Sequence, residues 1–267
     1  MVDASKTYIY VFDNYIAQLV DGVDAGAHKH GAYQLSISLD REVHMVGPSP
    51  DLGRPGLGHL TAPNTPHSLH SCSGQQLLFW IAPESTLGRH LGSTHLDDSG
   101  FGVLPVDVID ELPITELQPA LSEGWSGRDV GLICDEILDL LAHEPLSRSS
   151  DLHPALRESI EIIHSQPQFA ISADDLANRV GLSTSRLLHL FKDQMGTPLR
   201  PHLQWLRLTD AIRRVVEGSS ITDAAAASGF ADASHLNRSA QQYFGLRPSD
   251  FVDHPDISIE LCLTAGV

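Results

Sequence analysis

Over residues 8–83 hydrophobic and polar positions alternate in short runs. Residues 8–12, 33–39, 42–46 and 76–81 are rich in β-branched and aromatic side chains, with glycine and proline between them. Such runs predict strands, and several at close spacing predict a small barrel or sandwich. Residues 88–105 read as turn-rich. The period then changes, because Val130, Ile133, Ile137, Leu140 and Leu141 recur at three and four residues. That spacing predicts an amphipathic helix, which either covers the barrel or forms a dimer surface. Residues 143–150, with Pro145 and three serines, read as a linker. A helix over residues 152–164 opens a second domain and stops before Pro167.

Inside that second domain the pattern repeats. Ser172-Ala173-Asp174-Asp175-Leu176-Ala177, then Gly181-Leu182, returns as Ser220-Ile221-Thr222-Asp223-Ala224-Ala225, then Gly229-Phe230. In each copy a serine N-cap and an acidic residue three positions on start a short helix, and a glycine able to take the left-handed conformation ends it. A second helix follows each turn. Leu187, Leu190, Phe191 and Met195 form the inward seam of the first, and Leu236, Ala240, Tyr243 and Phe244 that of the second. Residues 199–217 read as one long connecting helix with Trp205, Leu208, Ile212 and Val215 on a stripe. Helix, glycine turn, helix is the arrangement that projects a short helix into a DNA major groove. A single instance is weak evidence; a duplicated one is much stronger.

Residues 152–251 resemble the DNA-binding domain of the AraC/XylS family of bacterial regulators. The resemblance is carried by Leu176-Ala177 through Phe191, by Arg207-Leu208 and Ala211, by Gly229-Phe230-Ala231-Asp232, and by Tyr243-Phe244-Gly245 with Pro248-Ser249. It implies that both second helices enter adjacent major-groove segments of double-stranded DNA. By position the base-edge readers would be Ser185, Leu188 and His189 in the first unit, and Ala233, Ser234, Asn237 and Arg238 in the second. Arg238 suits guanine and Asn237 adenine, whereas Leu188 and Ala233 suit a thymine methyl. Arg186, Lys192, Arg200 and Arg247 fit phosphate contacts, which position without specifying. The chain departs from the family at Ala240, where a large apolar residue is usual, and at Gln241, where a basic one is common. Looser packing of the second unit is the expected consequence.

In the first half, Gly22, His28-Lys29-His30, Gln34 and, later, Pro63-Asn64-Thr65-Pro66-His67 resemble the cupin barrel, in which a His-x-His pair and a later histidine converge. With Pro83-Glu84-Ser85 after a hydrophobic strand, the pattern is also similar to the sensor domains fused to many AraC-type regulators. His28, His30 and His67 are candidate ligands of a divalent transition metal (Zn, Ni, Fe or Mn), although Gln34 stands where many metal-bearing cupins supply a carboxylate. The alternative is an empty pocket or one for an organic ligand, lined by His28, His30, Gln34 and His67, with Tyr33 and Trp80 as further candidates.

The expected fold class is α+β, a cupin-like β-barrel with helices followed by an all-α domain containing two helix-turn-helix units. The expected divisions are a sensor barrel over 1–104, a helical dimerisation segment and linker over 105–150, the DNA-binding domain over 151–253, and a tail over 254–267. Within the tail, residues 257–263 alternate like a strand and would pack back on the first domain. The corresponding function is a ligand- or metal-controlled transcription regulator acting as a homodimer on DNA, with RNA polymerase as a further partner and no catalytic residues. The alternative is a metal-dependent cupin enzyme, a dioxygenase or isomerase, with an accessory helical domain.

Charge alters this picture in one respect. The net charge is -17, and residues 151–267 carry 10 Lys+Arg against 14 Asp+Glu, a net of -4, so the remaining -13 lies in residues 1–150. Even the DNA-binding half is not basic, so recognition must rest on a few placed cations rather than general attraction to phosphate. Cys72, Cys134 and Cys262 are too far apart for a disulfide framework and contain no Cys-x-x-Cys pair. Mean hydropathy is -0.07, no apolar run suits a membrane span, and the first residues lack a signal-peptide pattern, so a cytoplasmic location is expected.

Overall fold

The computed structural model describes residues 7–40, 43–47, 54–117, 119, 125–142, 152–244, 247–249 and 256–262. The expected linker at 143–150 lies outside the described residues, as does part of the tail.

The first half is built on one nine-stranded sheet. Its strands are β1 (Thr7–Val11), β2 (Tyr15–His28), β3 (Tyr33–Ser38), β4 (Val43–Val46), β5 (Arg54–Gly56), β6 (Gly58–Thr61), β7 (His67–Ile81), β8 (Phe101–Val103) and, from the far end of the chain, β9 (Ile257–Leu261). The order is β8-β6-β3-β7-β2-β1-β9, with β4 between β5 and the start of β7. The long β2 and β7 pair antiparallel from Tyr15 opposite Ile81 to His28 opposite His67, with register shifts between Asp21 and Val23 and between Ala25 and His28. Such irregularities bend a strand and let it serve both halves of a curled sheet. Here they bring the ends carrying His28 and His67 together.

Where a turn-rich stretch was expected, helix α1 (Thr86–His95) packs on β3. Its glycines lower helix propensity, but they are required by contact. A Cβ on Gly88 would lie 2.5 Å from the carbonyl oxygen of Ala82, and one on Gly92 would lie 2.6 Å from the hydroxyl of Tyr33. Ser85 caps the helix by accepting from the Gly88 N–H at 2.9 Å. After the short α2 (Val106–Asp110), the expected amphipathic helix is α3 (Gly127–Ala142). It buries Val130, Ile133, Ile137 and Leu141 against the sheet and leaves Leu132 66% exposed and Leu140 39% exposed.

The second half is helical: α4 (Pro154–Ser165), α5 (Ala173–Arg179), α6 (Thr184–Met195), α7 (Leu199–Val216), α8 (Ile221–Ala227) and α9 (Ala233–Phe244). It does not sit apart from the sheet. One apolar cluster joins Ile9, Ile16, Leu78 and Trp80 of the sheet to Trp205 and Ile212 of α7 and Tyr243 of α9. Trp80 meets Phe244 edge to face with ring centroids 5.2 Å apart. The tail closes the junction, because β9 pairs parallel with β1 from Thr7 opposite Ile257 to Val11 opposite Leu261. Glu260 then accepts from the Gly127 N–H at 2.8 Å, placing a carboxylate at the positive end of α3.

Candidate functional site

The duplicated segments fold as their caps dictate. Ser172, Ser183 and Ser220 accept from the N–H groups of Asp175, Arg186 and Asp223, each cap contributing about 1 kcal/mol. The turns close at Gly181 and Gly229, with φ of +68° and +82°, which a side chain would strain. Helices α5 and α6 form one helix-turn-helix unit, α8 and α9 the other, and α7 joins them. Leu187, Phe191 and Met195 are fully buried beneath α6, as are Leu236 and Ala240 beneath α9. Asp210 of α7 holds the second unit from below, accepting from Arg213 Nη2 and Arg214 Nε at 2.8 Å each and from Ser228 Oγ at 2.7 Å.

On the opposite side of α6, Ser185, Arg186, Leu188, His189 and Lys192 are all exposed, and so is Arg200 at the start of α7. In the second unit Ser234, Arg238 and Arg247 are exposed, while Ala233 and Asn237 are half-buried. Two of these side chains are partly engaged. Asn237 Oδ1 accepts from the Ser249 N–H at 3.4 Å, and Arg247 Nε donates to Gln241 Oε1 at 3.1 Å. The guanidinium of Arg238 stays on the exposed side of the helix. Asp232, the last residue of the Gly229-Phe230-Ala231-Asp232 motif, starts α9 by accepting from the His235 N–H at 2.6 Å.

In the sheet, His28, His30 and His67 converge, with ring centroids 4.3 to 5.8 Å apart and one nitrogen from each within 4.8 Å of the others. Each Nδ1 faces a backbone carbonyl: Gly26 at 2.8 Å, Ala32 at 3.0 Å and Thr65 at 2.8 Å, respectively. That fixes the proton on Nδ1 and leaves each Nε2 with its lone pair, the orientation that metal-binding histidines adopt. Gln34 Oε1 lies 2.7 Å from His30 Nε2 and 3.0 Å from His67 Nε2. Two acceptor nitrogens facing one acceptor oxygen repel, and two arrangements resolve this. Turning the amide lets its NH2 donate to both rings while its oxygen accepts from Ser36. Alternatively, a divalent ion takes up the same lone pairs. The donor set thus fits a metal ion without requiring one. Burial keeps all three rings neutral, holding His28 and His67 below the ordinary histidine range and His30 down to about 4.

Beside the triad opens a cavity of about 810 Å³. His28, Gln34 and Trp80 line it, while His30 and His67 stand behind Gln34 and are not in its wall. Tyr33 is not brought to the cavity. Adjacent strand residues point to opposite faces, so the Tyr33 ring packs under α1 while Gln34 faces the pocket. Lys29 also lines it, as do Gln241, Gln242, Tyr243 and Phe244 from the C-terminal end of α9, none of which the sequence pattern marks as a pocket residue. Only the three-dimensional packing of the two halves brings that helix to the barrel.

Residues 176–254 match the family described as "Helix-turn-helix domain". Among curated proteins, none matches the chain. Among solved structures, ligand-free ToxT from Vibrio cholerae strain SCE256, in a lysine-to-alanine variant, is 13% identical with a TM-score of 0.57, covering 89% of this chain and 96% of that one. A 1.65 Å structure of Vibrio cholerae ToxT is also 13% identical, with a TM-score of 0.55, covering 90% and 98%. An AraC-type transcriptional regulator from Chromobacterium violaceum is 28% identical over 36% of this chain and 88% of that chain, with a TM-score of 0.35. The paired units behind a sheet-rich domain define a DNA-binding transcription regulator. The chain has a ToxT-like fold over nearly its whole length. Among the described residues, no helix is long and apolar enough to cross a membrane.

Proposed function

We propose that the protein regulates transcription in response to an amphipathic organic anion held in the 810 Å³ cavity, and that it has no catalytic role of its own. The observation that carries this reading is the shared wall. Helix α9 bears Ser234, Asn237 and Arg238 on its outer, N-terminal part and lines the cavity with Gln241 to Phe244 at its other end. A ligand that prefers one placement of that end would shift the reading head by its differential affinity for the two placements. Lys29 is the charged residue of the wall, beside apolar Val20, Leu69, Leu78, Trp80 and Phe244, a combination that suits a carboxylate on an apolar body. ToxT itself has been solved with an unsaturated fatty acid and with a naphthalenyl-butenoic acid.

The base readers in this proposal are Ser185, Leu188, His189, Ala233, Ser234, Asn237 and Arg238, with Arg186, Lys192, Arg200 and Arg247 on phosphates. The working divisions are 1–104, 105–150, 151–253 and 254–267. The protein acts as a homodimer through the outer face of α3, where Leu132 and Leu140 are exposed, and contacts RNA polymerase once on DNA. Fluorescence anisotropy on a duplex from the protein's own upstream region tests the reading, using the wild type, Arg238→Ala and His189→Ala, each with and without oleate. Arg238→Ala should weaken binding by about 1–3 kcal/mol. Unchanged binding in both variants would reject the reading heads, and oleate-independent binding would reject the anion.

A second reading rests on the three inward Nε2 atoms, in which a divalent metal is the effector. Stoichiometric metal in the purified protein that is lost in His30→Ala supports it, and its absence removes it.

A further inference from the structure

A second cavity, of about 270 Å³, lies on the other side of the Trp80–Trp205 cluster, between the β1–β2 turn and α7. The barrel cavity and this one share no lining residue. Its walls come from both halves of the molecule: Phe12 and Asn14 from the turn, Glu84 after β7, and Phe169, Trp205 and Arg213 from the helical half.

Glu84 is the unexplained group here. Its side chain is 14% exposed, and Oε2 is buried with no hydrogen-bond partner among the described residues. The nearest candidates are His202 Nδ1 at 3.8 Å and His164 Nε2 at 3.9 Å, both beyond hydrogen-bonding length. His202 is fully buried, and burial depresses its pKa, so its ring is neutral and brings no compensating charge. Arg213, the cation in the wall, is committed to Asp210 at 2.8 Å and Glu217 at 3.3 Å. A carboxylate taken out of water without a partner is costly unless a donor of opposite charge reaches it. Aromatic faces around such a carboxylate favour an organic cation over a hydrated metal ion, because they attract an ammonium and cannot ligate a metal.

We propose that this junction cavity binds a small organic monocation, an ammonium on an apolar body, with the Glu84 carboxylate accepting from the ammonium and the Phe12, Phe169 and Trp205 rings enclosing the body. Such a ligand touches both halves at once and would hold them in their present arrangement. The inference is independent of the anion proposed for the barrel cavity.

Isothermal titration calorimetry on the full chain at pH 7.5 tests it with three probes: benzylamine, benzyl alcohol and magnesium chloride. Benzylamine should bind, and benzyl alcohol of nearly the same shape should bind at least about tenfold more weakly, since loss of one partner of a buried charge pair is strongly unfavourable. Glu84→Gln should weaken benzylamine by a similar factor. Asn14→Trp, an exposed turn position whose larger side chain fills the space, should do so with the carboxylate intact, and it serves as the test if Glu84→Gln fails to fold. Absence of benzylamine binding, equal binding of the alcohol, retention in either folded variant, or a response to magnesium in its place overturns the proposal.

Discussion

Replacing Asp210 with alanine probes how the second helix-turn-helix unit is fixed to the connecting helix. The carboxylate receives two arginine contacts and one serine hydroxyl, and these are not of equal weight. Arg213 and Arg214 are 42% and 37% exposed, so solvent screens them and each contributes about 0.5 kcal/mol. Ser228 is fully buried, and stranding its hydroxyl costs about 1–3 kcal/mol. Asp210→Ala should therefore destabilise the protein by about 2–4 kcal/mol in urea unfolding at pH 7. On a Ser228→Ala background the hydroxyl is already gone, and the same change should cost only about 1 kcal/mol, the difference being the coupling. The effect also has a pH signature. Burial pushes the Asp210 carboxyl up, but hydrogen bonds from Arg214, Ser228 and Arg213 outweigh it and leave the group below the usual carboxylate range. A depressed value in the folded state stabilises above the unfolded carboxylate value of about 4 and is lost as pH falls through the folded one. The gap between wild type and variant should thus be flat from pH 7 to 5 and narrow below about 4. Equal urea midpoints at pH 7, or a gap that widens in acid, would refute the reasoning.

Gly229→Ala should cost about 1–2 kcal/mol, because φ is +82° and the new Cβ would lie 3.1 Å from Gln168 Cβ; thermal melting measures it. The buried neutral triad should make the protein lose stability as pH falls from about 6.5 toward 4, since the His30 value is depressed in the folded state and protons therefore favour unfolding; His30→Gln should flatten that part of the urea-midpoint profile. Deleting residues 256–262 uncovers the β1 edge and the first turn of α3, and limited proteolysis should then cut faster between the two halves.

The helix-turn-helix units were legible because every determinant is local: serine caps, acidic third positions, glycine turns and seams at three- and four-residue spacing. The strand ending at Ile81 was half legible. Its second half is a continuous apolar run from Leu77 to Ile81, whereas the first half, through Ser71-Cys72-Ser73-Gly74, carries small and polar residues and holds its place by pairing with β2 and β4. Strand β2 was hidden for the same reason, since Asp21, Gly22, Asp24 and Gly26 break the alternation. Helix α1 was masked by glycines that the Tyr33 ring demands. The histidine triad was visible in its spacing, but the cavity beside it was not, because Gln241 to Phe244 lie more than two hundred residues from His28. Ala240 departs from the family pattern and is nonetheless fully buried in the shared cluster.

The parallel pairing of β1 with β9 also bears on how the protein is made. Domains generally fold in order as they leave the ribosome. Here the sheet's outermost position stays vacant until both reading heads have been synthesised, and closing a loop of some two hundred and fifty residues precedes the final pairing. A chain halted by damage or nonsense mutation anywhere in the helical half would thus carry a sheet with an open strand edge, a surface prone to aggregation.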